Sequence, residues 1–340
     1  MKTAIVILNW NGKSLLEKFL PSVVNNSPDA KIYVADNAST DDSVAYVKSN
    51  FPEVGVIQNT VNGGYAKGYN DALQNLTEDL FILLNSDIET PAGWLSPIVQ
   101  AFIKDKNLGA AQPKILDYKN KEYFEYAGAA GGYLDKLGYP FCRGRIFQEL
   151  EKDKGQYDKD AEIFWASGAC LAVTRDAFAK AGKLDELYFA HQEEIDLCWR
   201  IKNLGYSIKC IGASQVYHVG GATLQTMNPK KTFYNFRNSL FSLLKNVAGF
   251  KAYARIFKRM VLDGVAAFQF LLQGKPSHFL AIFKAHMSFY THFYSIRKKR
   301  KIHASDKKYY ILNSIIWEHF AQGKKKFSQL SSFGESQKKN

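Results

Sequence analysis

Short apolar runs alternate with helical repeats along the first part of the chain. Residues 5–8 (Ile-Val-Ile-Leu) form an unbroken apolar stretch of strand length. Residues 14–24 follow with Leu15, Leu16, Phe19 and Leu20 on one helical face. The alternation repeats as a strand over 32–35 that ends at Asp36, and a helix over 41–49 opened by the capping-type sequence Ser39-Thr40-Asp41-Asp42. A strand over 54–58, a helix over 65–76 and a strand over 80–84 complete the series. Strands that alternate with helices of this length predict βαβ units and an open α/β sheet, mostly parallel, with helices on both faces. Right-handed crossovers then place all four strand C-terminal ends on one rim, where such sheets bind ligands.

Further on the pattern changes. Residues 117–160, rich in Gly, Tyr, Lys and Asp, have weak periodicity and read as loop and edge hairpin bordering a site. Apolar structure resumes at 163–173, broken by Ser167-Gly168, and a short strand is expected at 207–211. From Thr232 onward the pattern is helical, with aromatic and basic residues interleaved. Residues 324–340 are polar and read as a frayed, disordered tail. Three regions are therefore expected: an α/β domain over 1–245, a basic amphipathic helical region over 246–323, and the tail.

Composition narrows this picture. A hydrophobic fraction of 46% and an aromatic fraction of 14% over 340 residues exclude a disordered chain. Cys142, Cys170, Cys198 and Cys210 lack CxxC or zinc-type spacing, and read as reduced core thiols of a reducing compartment. A strand begins within the first few residues, which leaves no room for a signal peptide. The longest apolar stretches are interrupted by Asp263 and Lys284, so no membrane span is expected. The net charge of +13 is concentrated at one end: residues 245–340 hold 19 Lys and Arg against 4 Asp and Glu, while residues 1–244 are nearly balanced. That asymmetry predicts an anionic partner for the C-terminal region.

Several constellations carry candidate chemistry. The strand at 80–84 runs straight into Asn85-Ser86-Asp87-Ile88-Glu89, where a carboxylate on the binding rim could hold a hard cation against a phosphate. The same residues also suit an ordinary turn. Asp36 could accept hydrogen bonds from a ribose or a base, or close an Asx-turn. In Asn62-Gly63-Gly64-Tyr65-Ala66-Lys67-Gly68 the glycines would let backbone N–H groups approach a phosphate, with Lys67 adding charge. The cluster Glu193-Glu194-Ile195-Asp196 opens a helix on which Glu193, Asp196 and Arg200 share a face. Its mutual repulsion would raise at least one carboxyl toward a general-base range. Acidic first turns are also favoured by the helix dipole alone. His218, before a glycine pair, could complete a metal shell or be an ordinary surface or core histidine.

Taken in order, the segment 5–12, Val34-Ala35-Asp36-Asn37, Asn62-Gly63-Gly64, Leu83-Leu84-Asn85-Ser86-Asp87 and Glu193-Glu194-x-Asp196 resemble the family 2 glycosyltransferases. The likeness, over about residues 3–245, is to their bacterial rhamnosyltransferase-like group. The resemblance implies a GT-A fold, with a nucleotide-sugar half over about 1–115 and an acceptor half over about 116–245. It implies an inverting transfer from a nucleoside-diphosphate sugar, such as a deoxyhexose like rhamnose, to a saccharide hydroxyl in cell-surface polysaccharide synthesis. It further implies donor contacts from Asn9, Trp10, Asn11, Asp36, Asn62, Gly64, Lys67, Asn85 and Arg200, with Asp36 at the base. Asp87 and His218 would hold Mg²⁺ or Mn²⁺, and Glu194, Glu193 and Asp196 would form the catalytic acidic group. Two departures stand out. Asn85 replaces the first acid of the usual DxD motif, and Glu194 stands where the base is usually Asp.

The C-terminal region offers apolar faces at Phe257, Val261, Phe268, Leu271 and Leu272 and at Phe279, Ile282, Phe283, Met287 and Phe289, followed by Arg297-Lys298-Lys299-Arg300-Lys301. An amphipathic segment with a polybasic run reads as a membrane-surface anchor, or as helices packed on the domain. The anchor reading implies a cytoplasmic protein peripherally bound at the membrane, suited to a lipid-linked acceptor. A nucleotidyltransferase would need a Gly-rich basic loop after the first strand, and Asn9-Trp10-Asn11-Gly12-Lys13 is a poor one. No nucleic-acid-binding motif accompanies the basic charge, so no nucleic-acid partner is expected. An inactive sugar-nucleotide-binding relative remains the other alternative, because Glu replaces Asp at the base.

Overall fold

The computed structural model describes residues 1–220 and 228–330. Strand β1 (Thr3–Asn9) runs parallel to β2 (Lys31–Asp36), which in turn pairs with β3 (Gly55–Gln58). On its other side β1 is parallel to β4 (Leu80–Asn85). Helices α1 (Lys13–Asn25), α2 (Ser43–Asn50) and α3 (Gly64–Leu73) make the crossovers, as the periodicity predicts. Leu80 through Leu84 are all buried in β4, because helices cover both faces of this strand. Each such side chain contributes about 1.5–3 kcal/mol of burial.

Beyond β4 the chain departs from a simple parallel series. After β5 (Ile88–Glu89) and helix α4 (Leu95–Lys104), strand β6 (Leu108–Asp117) enters the sheet. Residues 132–150 fold into a small antiparallel sheet of β7 (Gly132–Leu134), β8 (Pro140–Cys142), β9 (Arg145–Ile146) and β10 (Glu149–Leu150). Strand β11 (Ala161–Glu162) borders the main sheet. Strand β12 (Cys170–Thr174) lies antiparallel between β4 and β6. Helices α5 (Arg175–Lys180) and α6 (Glu193–Asn203) lead to β13 (Ser207–His218), parallel to β6. Among the described residues the main sheet has nine strands in the order β11-β13-β6-β12-β4-β1-β2-β3, with β5 pairing β13.

The segment 117–160 contains the expected hairpins and also adds to the core, with Phe124, Phe141 and Ile146 fully buried. Two expectations are corrected here. Strand β13 extends well past residue 211, through a register irregularity between Ile211 and Gln215, and so carries His218 to the rim. Residues 324–330, read as part of the tail, are packed on the domain. Phe327 packs among Tyr133, Phe141 and Tyr157, and its N–H donates to Glu151 at 3.0 Å. Residues 331–340 and Gly221 lie outside the described residues.

Helices α7 (Pro229–Asn246), α8 (Lys251–Leu272) and α9 (Pro276–His303) pack on the α/β part instead of forming a separate body. Leu240, Phe241, Leu244, Phe289 and Ile296 share one core with Trp199 and Ile163. Asp263, which interrupts the apolar run of α8, is buried and satisfied by Arg259 (2.9 Å), His286 (3.3 Å) and the Tyr139 hydroxyl (3.3 Å). No helix of the described residues is long and apolar enough to cross a membrane.

Candidate active site

The parallel strands β1, β2 and β4 end on one rim, which β6 and β13 continue. At the β1–β2 end, Asn9 donates to Asp36 (3.1 Å) and to the Ser39 hydroxyl (3.2 Å), and Asp36 accepts the Ser39 N–H (2.9 Å). Both side chains are buried, yet Asn9 Oδ1 has no partner among the described residues. Asn11, with a φ of 49°, accepts from the Thr40 N–H (2.7 Å), and Trp10 stands half exposed beside it. This polar notch is where the sequence places the donor base.

The glycine-rich segment does something other than expected. Gly64 has a φ of +76°, and a Cβ there would lie 2.5 Å from the Phe189 carbonyl oxygen. The Tyr65 N–H donates to that same oxygen at 2.9 Å. Only glycine permits this approach, so the motif docks α3 onto the segment before α6. Asn62 supports the turn by accepting the Gly64 N–H (3.0 Å) and an Asn37 N–H (3.0 Å). Lys67 pairs with Asp71 one turn on, at 2.9 Å.

At the end of β4, Asn85 lies 3.4 Å from His218 Nε2, and Asp87 Oδ1 lies 3.1 Å from the same nitrogen. The pairing of β5 with β13 creates this meeting, because Ile88 stands opposite His218. On its other side, His218 Nδ1 is 3.2 Å from Glu125, which also accepts the Ala127 N–H (2.5 Å). Burial opposes a charge on His218, but hydrogen bonds to Asp87 and Glu125 outweigh it and push the imidazole up to about 10. Glu125 sits in the segment read as a loop. Nothing in its sequence context marks it, since only β13 brings its partner near.

Among the described residues, no group of three or more His, Cys, Asp or Glu side chains is arranged to hold a metal ion. Asp87 and His218 nonetheless fit one as a pair. A carboxylate and an imidazole suit Mn²⁺, and their 3.1 Å separation is that of neighbouring ligands of one ion. An ion held there would displace a proton from the imidazole, since metal ligation requires the neutral ring nitrogen.

The acidic residues of the sequence reading form the first turn of α6. Phe189 (φ 61°), His191 (φ 67°) and Gln192 (φ 68°) adopt left-handed backbone immediately before α6, a concentration of strain typical of functional segments. Helix α7 holds the segment in place. Asn238 donates to the carbonyls of Tyr188 (3.1 Å), Ala190 (3.0 Å) and His191 (2.7 Å), and Arg237 to those of Leu187 (2.9 Å) and Tyr188 (3.1 Å). Glu193 is buried and Glu194 half-buried, and each has an unpartnered carboxyl oxygen. Burial lifts Glu194 to about 7 against the pull of the backbone N–H groups of Gln192, Glu194 and Ile195. Glu193, more deeply buried and beside Glu194, is driven well above the usual carboxylate range, first by burial and then by the neighbouring Glu194 carboxylate. Both carboxyls lie close enough to Tyr65 to raise its hydroxyl further.

Asp196 and Arg200 depart from the sequence reading. Asp196 is fully buried and takes Arg200 (2.8 Å), Lys245 (2.7 Å) and Asn246 (2.9 Å). Arg200 also donates to the carbonyls of Ala181 and Lys183. With every polar face committed, neither can reach a substrate. They anchor α6. Trp165 and Tyr188 are likewise core residues, whereas Phe189 stacks on Tyr234 at 5.6 Å.

Comparison with known proteins decides the family. Residues 4–181 match the family described as Glycosyl transferase family 2. The chain belongs to that family. It is a glycosyltransferase, and its mixed α/β sheet with helices on both faces has the GT-A arrangement. It is 26% identical over 230 residues to an N-acetylglucosaminyl-diphospho-decaprenol L-rhamnosyltransferase of Mycobacterium tuberculosis, covering 63% of this chain and 75% of the relative. Among solved structures it resembles GalNAc-T7 with UDP, GalNAc and Mn²⁺, at a TM-score of 0.57 and 20% identity. That match covers 74% of this chain and 49%, about half, of the other. It also resembles the mannosyltransferase PcManGT of Pyrobaculum calidifontis in complex with GDP-Man and Mn²⁺, at a TM-score of 0.51 and 15% identity over 88% and 84% of the two chains. These two likenesses concern the fold.

Proposed function

We propose that this glycosyltransferase is inverting and moves a sugar from a nucleoside-diphosphate donor to a hydroxyl of a lipid-linked saccharide in cell-envelope polysaccharide synthesis. The observation that carries the reading is a buried carboxyl poised near neutrality at Glu194, whose field reaches the same Cys142 thiol as that of Glu125, the residue beside the Asp87–His218 pair. Glu194 takes the proton of the acceptor hydroxyl as its oxygen attacks the anomeric carbon, in one displacement. Glu193, the more deeply buried of the two, shapes the pocket beside it. Asn9 and Asp36 bind the donor's base and ribose. A divalent cation, Mg²⁺ or Mn²⁺, held by Asp87 and His218, supplies Lewis-acid stabilisation of the departing diphosphate when bound. The mycobacterial relative supports a deoxyhexose such as rhamnose as the sugar, and a diphosphate-linked polyprenol as the acceptor class.

The C-terminal helices suit that acceptor. Their inner faces pack on the domain, but Phe257, Val261, Val265, Phe268 and Leu272 of α8 and Phe283, Tyr290 and Tyr294 of α9 remain exposed. Lysines and arginines border them, and a cytoplasmic leaflet rich in anionic lipid is the fitting surface. The basic run serves this only in part. Lys299 pairs with Asp185 (2.6 Å), and Arg300 donates to the carbonyls of Leu244 (2.7 Å) and Gly249 (2.7 Å).

The test is a screen of nucleotide sugars for Mn²⁺-dependent release of nucleoside diphosphate in the presence of prenyl-diphosphate saccharides. Transfer that is lost in Glu194→Gln and kept in Glu193→Gln is the expected outcome. Full turnover in Glu194→Gln would remove the base assignment.

A further inference from the structure

Two cations stand beside this rim without a counter-ion. Arg145, on β9, is 7% exposed, and its Nε has no partner. Its other nitrogens reach only the Phe147 carbonyl (3.1 Å) and the Cys142 sulfur (3.6 Å). Its guanidinium lies 4.3 Å from the centre of the Tyr126 ring. Lys231, in the first turn of α7, approaches the same ring to 5.6 Å. Neither makes an ion pair with any carboxylate among the described residues. Glu125, the carboxylate whose field reaches both, is already held by His218 and the Ala127 N–H. On its far side, Lys231 acts on His191, two residues before Glu193. The pair therefore lies between the Asp87–His218 site and α6.

An unpaired buried charge costs several kcal/mol. Arg143 and Arg237 also lack a carboxylate but donate to backbone carbonyls, Arg143 through its Nε and Arg237 through Nη2, and other buried cations are paired. Lys245 has two aspartates, Lys114 two more, and Arg259 has Asp263. A site that keeps two cations unpaired on one aromatic ring, next to a place for a metal, is built for an anion brought by the ligand. We propose that Arg145 and Lys231, oriented by Tyr126, form a subsite for a phosphate group of a diphosphate ligand. The planar guanidinium presents its free Nε–H as a directed donor, and Lys231 adds a mobile point charge. Two sources share this chemistry: the nucleoside diphosphate of the donor, and the diphosphate that links a saccharide acceptor to its prenol. The inference rests on the glycosyl-transfer reading above.

Calorimetric titration of the full chain with Mn²⁺ and either a nucleoside diphosphate or a short-chain prenyl diphosphate separates the possibilities. Arg145→Gln and Lys231→Gln should each weaken binding of one of the two ligands by roughly ten- to a hundredfold, the size of a charge-assisted contact. Arg145→Lys should recover part of the Arg145 loss. Loss toward the nucleotide alone assigns the leaving group, and loss toward the prenyl ligand alone assigns the acceptor. Because Arg145 is buried, each variant's melting temperature is measured alongside, and Lys231→Gln, at a half-exposed position, provides the independent arm. If the wild type binds both ligands and both Gln variants bind each equally well, the subsite is overturned. If the wild type binds no nucleoside diphosphate at all, the glycosyl-transfer reading fails instead.

Discussion

Lys299, in the middle of the C-terminal basic run, places its Nζ 2.6 Å from Asp185, at the head of the strained segment that leads into α6. Asp185 also takes Lys245 at 2.7 Å, which in turn holds Asp196 inside α6. Burial works against both carboxylates, yet the lysines and Arg200 keep them below their usual range. Depressed carboxyls add stability that is present above their unfolded values and lost as pH falls through the folded ones. Lys245→Met should therefore cost about 3–5 kcal/mol, because it leaves two buried aspartates short of a partner. Lys299→Ala should cost less, since its side chain is partly exposed. Denaturant titration at pH 7 checks both, and equal stability of Lys245→Met and wild type would contradict the network.

Glu194 is a site where activity and stability oppose each other. A carboxyl raised to about 7 stabilises the fold below its unfolded value near 4.5, and that contribution fades as pH rises toward 7. Glu194→Gln removes the penalty, so at pH 8 it should melt higher than wild type, by a margin on the order of 1–3 kcal/mol in free energy. It should also lower turnover by about 10²–10⁴-fold. In the wild type, kcat/KM should climb with pH through about 7. A flat profile would point to another base.

The Asp87–His218 pair can be probed by metal binding alone. Asp87→Asn removes the only anionic ligand of the pair and should abolish Mn²⁺ binding in a calorimetric titration. Glu125→Gln acts one step back, through His218 Nδ1, and should weaken Mn²⁺ by about 10–100-fold. Undiminished Mn²⁺ affinity in Asp87→Asn would place the metal elsewhere.

Gly64→Ala should damage the site from a distance. Its Cβ meets the Phe189 carbonyl oxygen at 2.5 Å, and the positive φ adds strain. A loss of about 1–3 kcal/mol of stability is expected, together with reduced turnover, because the two segments can no longer dock. Melting curves and steady-state rates test this, and a neutral substitution would mean that the α3–loop contact is dispensable.

Flotation with phosphatidylglycerol vesicles addresses the helical face. Phe257→Glu with Phe268→Glu changes two exposed positions and should abolish co-flotation while leaving the fold intact. Self-association of the wild type in the absence of lipid would assign the face to a second copy of the chain instead.

The sequence by itself determined the βαβ series, its binding rim, and the presence at that rim of Asp36, Asp87 and the Glu193–Glu194 pair. Local periodicity and strand ends are short-range properties, and the chain writes them in order. Which acidic residue works and which only supports was decided by tertiary structure. Asp196 shares a turn with Glu194, but it is fully buried and meets Arg200, Lys245 and Asn246. Gly64 answers to a carbonyl far along the chain, and Glu125 and Arg145 acquire meaning only when β13 and α7 close over them. Polarity can be read one residue at a time. Burial and pairing, which set the charge of Glu194 and the role of Asp87, exist only once distant segments share the same few ångströms.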